Sequence, residues 1–84
     1  MLGEPEVKRL GYELLRNKKV KEAIEIFKLN VELYLQSFNT YDSLGEAYMV
    51  NGDKNQAIKN YRKSLELNPQ NTDAKEMLKK LDEK

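Results

Sequence analysis

The chain has 84 residues, 35% of them charged, with 15 basic and 14 acidic side chains that nearly cancel. The balance holds in residues 1–35 (7 basic, 6 acidic) and in the remainder (8 and 8), so net charge gives no pull toward nucleic acid or anionic lipid. Cysteine and histidine are both absent, which excludes disulfides, zinc knuckles, thiol nucleophiles and imidazole bases together.

At this length there is room for one small core. No apolar run approaches the roughly 18 residues of a membrane span. Met1-Leu2-Gly3-Glu4-Pro5 is neither a basic n-region nor a signal h-region, so the expected compartment is the cytoplasm.

Between Pro5 and Asn17, apolar or small residues at Val7, Leu10, Gly11, Leu14 and Leu15 follow the i, i+3, i+4, i+7, i+8 spacing of an amphipathic helix. Pro5 suits its first turn, where a missing N–H costs nothing. After a polar break at Asn17-Lys18-Lys19, the stripe Val20, Ala23, Ile24, Phe27, Val31 and Leu33 predicts a second helix. A third is predicted over 39–51 and a fourth over 54–67. Between them Gly52 can take positive φ, and Asp53 is placed to cap the fourth helix, with Gln56 completing a capping-box-like pair. Asn68-Pro69 ends that helix, and Asn71 or Thr72 starts a fifth through Leu81. Ala74, Met77, Leu78 and Leu81 lie on its inner side, with Lys75, Glu76, Lys79, Lys80 and Asp82 around them as a solvating cap.

The elements repeat with a period of 34 residues: Leu10-Gly11 returns as Leu44-Gly45, Asn17 as Asn51, Ala23-Ile24 as Ala57-Ile58, Phe27 as Tyr61 and Glu32-Leu33 as Glu66-Leu67. Gly11 and Gly45 sit mid-helix, where glycine costs about 1 kcal/mol against alanine, so a close helix approach is the economical reason for them. Phe27, Tyr48 and Tyr61 are expected to fill the wedge between repeats, and Ala23 and Ala57 play the matching small-residue part on the second helix of each hairpin. All read as core, not as ligands.

This period, with Tyr41, Leu44, Gly45, Tyr48, Ala57, Tyr61 and Pro69 in the second unit, resembles the tetratricopeptide repeat (TPR) family over residues 4–84. In the first unit Val7 and Leu14 stand at aromatic positions. The resemblance implies an all-α superhelix of helix-turn-helix hairpins: a first repeat at 4–37, a second at 38–71 and a C-terminal capping helix at 72–84. It also implies a concave face, lined by the first helix of each repeat, that binds an extended peptide or partner helix. The corresponding positions are Lys8, Arg9, Tyr12, Leu15 and Arg16, then Asp42, Ser43, Glu46, Met49 and Val50; of these Lys8, Tyr12, Arg16, Asp42, Glu46 and Met49 are the candidate groove residues.

One TPR subgroup clamps the C-terminal carboxylate of chaperones with two Lys, two Asn and an Arg. Lys8 matches, but Tyr12, Ser43, Asp73 and Met77 occupy the other four positions, so that function is not expected. Residues 41–81 also resemble TPR tails of larger bacterial chains, including serine-hydrolase or β-lactamase-like enzymes, which would make the segment a non-catalytic appendage. No Ser-x-x-Lys or Gly-x-Ser-x-Gly motif is present.

The sharpest departure from the family pattern is Leu35, which aligns with Pro69. From Val20 to Leu44 there is neither Pro nor Gly, so helices two and three can fuse into one rod, Val20 to Val50, of about 31 residues and about 46 Å. A rod would separate the hairpins and favour a domain-swapped homodimer, with Leu35 and Phe38 at the junction. Opposing it, Ser37, Phe38, Asn39 and Thr40 can form a turn, since Ser, Asn and Thr favour caps over helix interiors.

An enzyme would have to rely on carboxylates, Lys or Tyr, and these alternate along helices as solvated faces; Lys59, Arg62 and Lys63 are read in this way. The basic turn of Arg16, Lys18, Lys19 and Lys21, beside Tyr12, is too small to carry nucleic-acid binding in a near-neutral chain. The expectation is a non-enzymatic protein-interaction module without cofactor, metal or small-molecule substrate, and with a protein, a peptide or a second copy of itself as partner.

Overall fold

A computed structural model describes residues 2–82. Five helices follow one another: α1 (Glu4–Arg16), α2 (Val20–Leu33), α3 (Phe38–Val50), α4 (Lys54–Leu67) and α5 (Thr72–Asp82). They pack as α1 on α2 and α3 on α4, with α2 against α3 and α4 against α5, the neighbour-to-neighbour layout of a helical repeat. The first core cluster joins α2 to α3 through Ala23, Ile24, Phe27, Leu44 and Ala47, with Tyr12, Leu14 and Leu15 of α1 packed against it; a second cluster of Ala57, Tyr61 and Ala74 joins α4 to α5, and Tyr48 packs against both.

The two hairpin turns have the same geometry one period apart. Lys19 N–H reaches Leu14 O at 2.8 Å and Lys18 N–H reaches Leu15 O at 3.0 Å, matched by Asp53 to Tyr48 at 2.9 Å and Gly52 to Met49 at 3.0 Å. Both turns need a left-handed residue, Lys18 at φ 62° and Gly52 at φ 83°. Only the second unit places a glycine there. Asp53 does not cap α4 with its side chain as expected; its carboxylate accepts from Asn51 Nδ2 at 2.8 Å instead. Asn71 does cap α5, accepting from Ala74 N–H at 3.3 Å.

The fused rod does not form. Helix α2 stops at Leu33 and α3 starts at Phe38, and the described chain spans 38 Å at its longest, too short for a straight 46 Å rod of the kind that about 31 helical residues would make. Polar contacts replace the missing proline. Tyr34 N–H bonds Asn30 O and Ser37 N–H bonds Tyr34 O, both at 3.0 Å, and Thr40 Oγ1 donates to Ser37 O at 2.9 Å. Ser37 Oγ donates to the Glu4 carboxylate, tying the turn to α1. Leu35 lies 55% exposed at the tip, and Phe38 opens α3 rather than occupying the middle of a rod.

The same turn recurs at Asn68–Asn71, where Asn68 N–H bonds Ser64 O at 2.9 Å and Asn71 N–H bonds Asn68 O at 3.0 Å around Pro69. Leu35→Pro therefore enters a backbone that already accepts proline one period later. It should raise stability by about 0.4–1 kcal/mol through the unfolded chain, or roughly 2–8 °C in Tm for a domain of this size. A circular-dichroism melt checks this; a lower Tm would mean that the two turns are not equivalent.

Candidate groove on the α1–α3–α5 face

Tyr12 is anchored as a core residue and ends as a surface group. Its ring meets Phe27 edge-on, centroids 5.1 Å apart at 67°. Its hydroxyl donates to Glu46 Oε1 at 3.0 Å and lies 3.3 Å from Ser43 Oγ. Burial first, and then the Glu46 and Asp42 carboxylates, push the phenol up to about 12 against the pull of Ser43, so it stays a donor at physiological pH. This bond locks α1 to α3 at the edge of a groove.

The groove, about 500 Å³, is lined by Asp42, Glu46, Met49 and Val50 of α3, Tyr61 of α4, and Asp73, Glu76 and Met77 of α5. Its floor is methionine and aromatic: Tyr61, buried at 3% exposure, points its hydroxyl at Met49 Sδ, 3.7 Å away. Four carboxylates line the groove and no cation does. Among the described residues no set of acidic side chains is arranged to hold a metal ion.

Asp42 registers this crowding. Burial raises its carboxyl above the ordinary value, Asp73 and Glu46 push the same way, and the Asn71 amide and the Lys8 ammonium pull against them. The folded carboxyl thus holds its proton more tightly than the unfolded one. Its contribution to stability is full below the unfolded pKa and is lost as pH rises through the raised folded value. Asp42→Asn should raise Tm at neutral pH, and the gain should vanish below pH 3.8, where the wild-type group is neutral in both states. Melts of both proteins across that window test this; a gain independent of pH would assign it to something other than charge.

Of the candidate groove residues, Asp42, Glu46 and Met49 line this cavity and Tyr12 sits at its edge through Glu46. Lys8 and Arg16 do not line it, and Arg16 is exposed. Tyr61, Asp73, Glu76 and Met77 were not among the candidates. A signal for the α5 members was present: extending the period once more carries Lys8 and Asp42 onto Glu76, and Ser43 onto Met77. Helix α5, read as a cap, occupies the place of a third repeat's first helix.

Residues 43–71, from mid-α3 through α4 to the cap of α5, match the tetratricopeptide repeat family. The fold is a TPR fold. No curated protein matches the chain. TPR repeats generally mediate protein–protein interaction, and their all-α fold is typically non-catalytic. No helix among the described residues is long and apolar enough to cross a membrane.

Proposed function

We propose that the chain is a non-enzymatic TPR module whose concave face binds a basic peptide or partner helix carrying an apolar anchor. The observation that carries this reading is the lining of the groove: Asp42, Glu46, Asp73 and Glu76 ring Met49, Val50 and Met77, with no cation among them. Lysine or arginine on a ligand would relieve the mutual repulsion of these carboxylates. The methionines supply an adaptable apolar floor for a side chain between the charges. Because binding of a cation favours ionised Asp42, affinity should increase as pH rises through its raised pKa.

The test is fluorescence anisotropy of a labelled Lys/Arg-rich peptide with one central Leu or Met. Asp42→Lys with Glu46→Lys should weaken binding by at least about tenfold, which is 1.4 kcal/mol, and added salt should weaken it in the wild type. Equal affinity before and after the reversal would sink the proposal.

A further inference from the structure

On the other side of α3 lies a second and larger groove, about 810 Å³, between α2 and α4. Its floor comes from one stripe of α3, Tyr41, Leu44 and Tyr48 at i, i+3 and i+7, together with Ile58 of α4. Its rim is basic: Lys28 from α2, then Lys59, Arg62 and Lys63 from successive turns of α4, against the single carboxylate of Glu66. A cavity of this size with an apolar floor and a few charges of one sign has the form of a binding site.

The rim cations are not consumed by internal pairing. Lys28 meets Glu25 at 3.9 Å and Lys63 meets Glu66 at 3.6 Å, both as exposed i,i+3 pairs that contribute little. Lys59 and Arg62 make no ion pair among the described residues. The near-zero net charge of the chain therefore conceals two faces of opposite sign, an acidic groove over α3 and α5 and a basic one between α2 and α4.

We propose that the groove between α2 and α4 is a second docking site, for an acidic segment that sets a bulky apolar side chain on the Tyr41–Leu44–Tyr48 floor while its Asp and Glu residues meet Lys28, Lys59, Arg62 and Lys63. The apolar floor favours a protein segment over a phosphate backbone, whose recognition needs a row of cations without an anchor pocket. The site is independent of the acidic groove, so a single chain can bridge a basic partner and an acidic one.

The probe is a synthetic peptide of about 12 residues, long enough for an 18 Å helix, rich in Asp and Glu with Phe and Leu one turn apart. Titrated into the isotope-labelled full chain, it should shift the amide resonances of Lys28, Leu44, Tyr48, Ile58 and Arg62. Lys59→Glu with Arg62→Glu, both exposed and checked by thermal melt for an intact fold, should weaken it at least about tenfold. Replacing the peptide's Phe and Leu by Ala should weaken it as well, and Asp42→Lys with Glu46→Lys should not. The proposal is overturned by absence of shifts at millimolar peptide, by shifts centred on Asp42, Met49 and Met77, or by affinity that survives the reversal. It is equally overturned if uridine-rich RNA shifts the same residues at lower concentration, or if they shift on concentrating the chain alone, which would give the groove to a second copy.

Discussion

Gly11→Ala should lower the stability of the chain by about 2 kcal/mol, whereas Gly45→Ala, one period later, should leave it nearly unchanged. A Cβ at Gly11 would lie 2.3 Å from Phe27 Cε1, 2.5 Å from Cζ and 2.8 Å from Cδ1. Phe27 is fully buried, packed with Ala23, Ile24, Leu44 and Ala47 and met edge-on by Tyr12, so its ring has no free space to enter. Relief must come from parting α1 and α2, an overpacking cost of up to about 3 kcal/mol, offset by about 1 kcal/mol of helix propensity gained. At Gly45 the nearest atoms are Tyr61 Cε2 and Cζ at 3.1 Å and Cδ2 at 3.2 Å, a ring that ends at the open groove and can yield a few tenths of an ångström. There the two terms nearly cancel. Urea denaturation of both variants measures the difference, and Phe27→Leu added to Gly11→Ala should cost less than the two single effects summed. Equal losses at the two glycines would refute the account.

That contrast also shows what periodicity carries and what it leaves out. The spacing of Leu10-Gly11, Ala23, Phe27 and their second-unit partners marks the helices and the helix approach, because each position repeats its packing environment. The tightness of one approach and the slack of the other depend on the residues behind Phe27 and Tyr61, which no spacing records. The junction at Leu35 was ambiguous for a related reason. Local propensity there is balanced, and the break is decided by contacts across the fold: Ser37 to Glu4, and Asn30 Nδ2 to Glu4 O at 3.2 Å. The family pattern puts Asp42, Glu46 and Met49 on the inward face of the second repeat's first helix, and all three line the cavity between α3 and α5. Asp73, Glu76 and Met77 could be reached only by carrying the 34-residue period into α5, whose charged exterior otherwise resembles that of any terminal helix. The opposed charges of the two grooves were invisible to a composition that sums to +1.

Ser64→Ala, the removal of one hydroxyl, should cost about 2 kcal/mol, within the range for leaving a buried polar partner unsatisfied. Ser64 is fully buried in the stripe of α4 that otherwise carries apolar residues. Its Oγ donates to Phe38 O at 3.1 Å and accepts from Asn71 Nδ2 at 2.9 Å, joining the start of α3, the end of α4 and the cap of α5 at one atom. One period earlier Asn30 stands at the same position and donates to Glu4 O, the first residue of α1 as Phe38 is the first of α3. A polar residue near the end of each repeat's second helix thus clasps the beginning of its first. Alanine at position 64 leaves the Asn71 amide, itself only 8% exposed, without that acceptor and weakens the turn that holds Asp73, Glu76 and Met77 against the groove. Ser64→Ala, Asn71→Ala and the double variant, compared by urea denaturation, should show a coupling of about 1 kcal/mol. Additive losses would mean that the two side chains act separately. With coupling, the loss should reach function too: basic-peptide affinity should fall in Ser64→Ala at temperatures well below its Tm, because the α5 wall of the acidic groove is positioned through this bond.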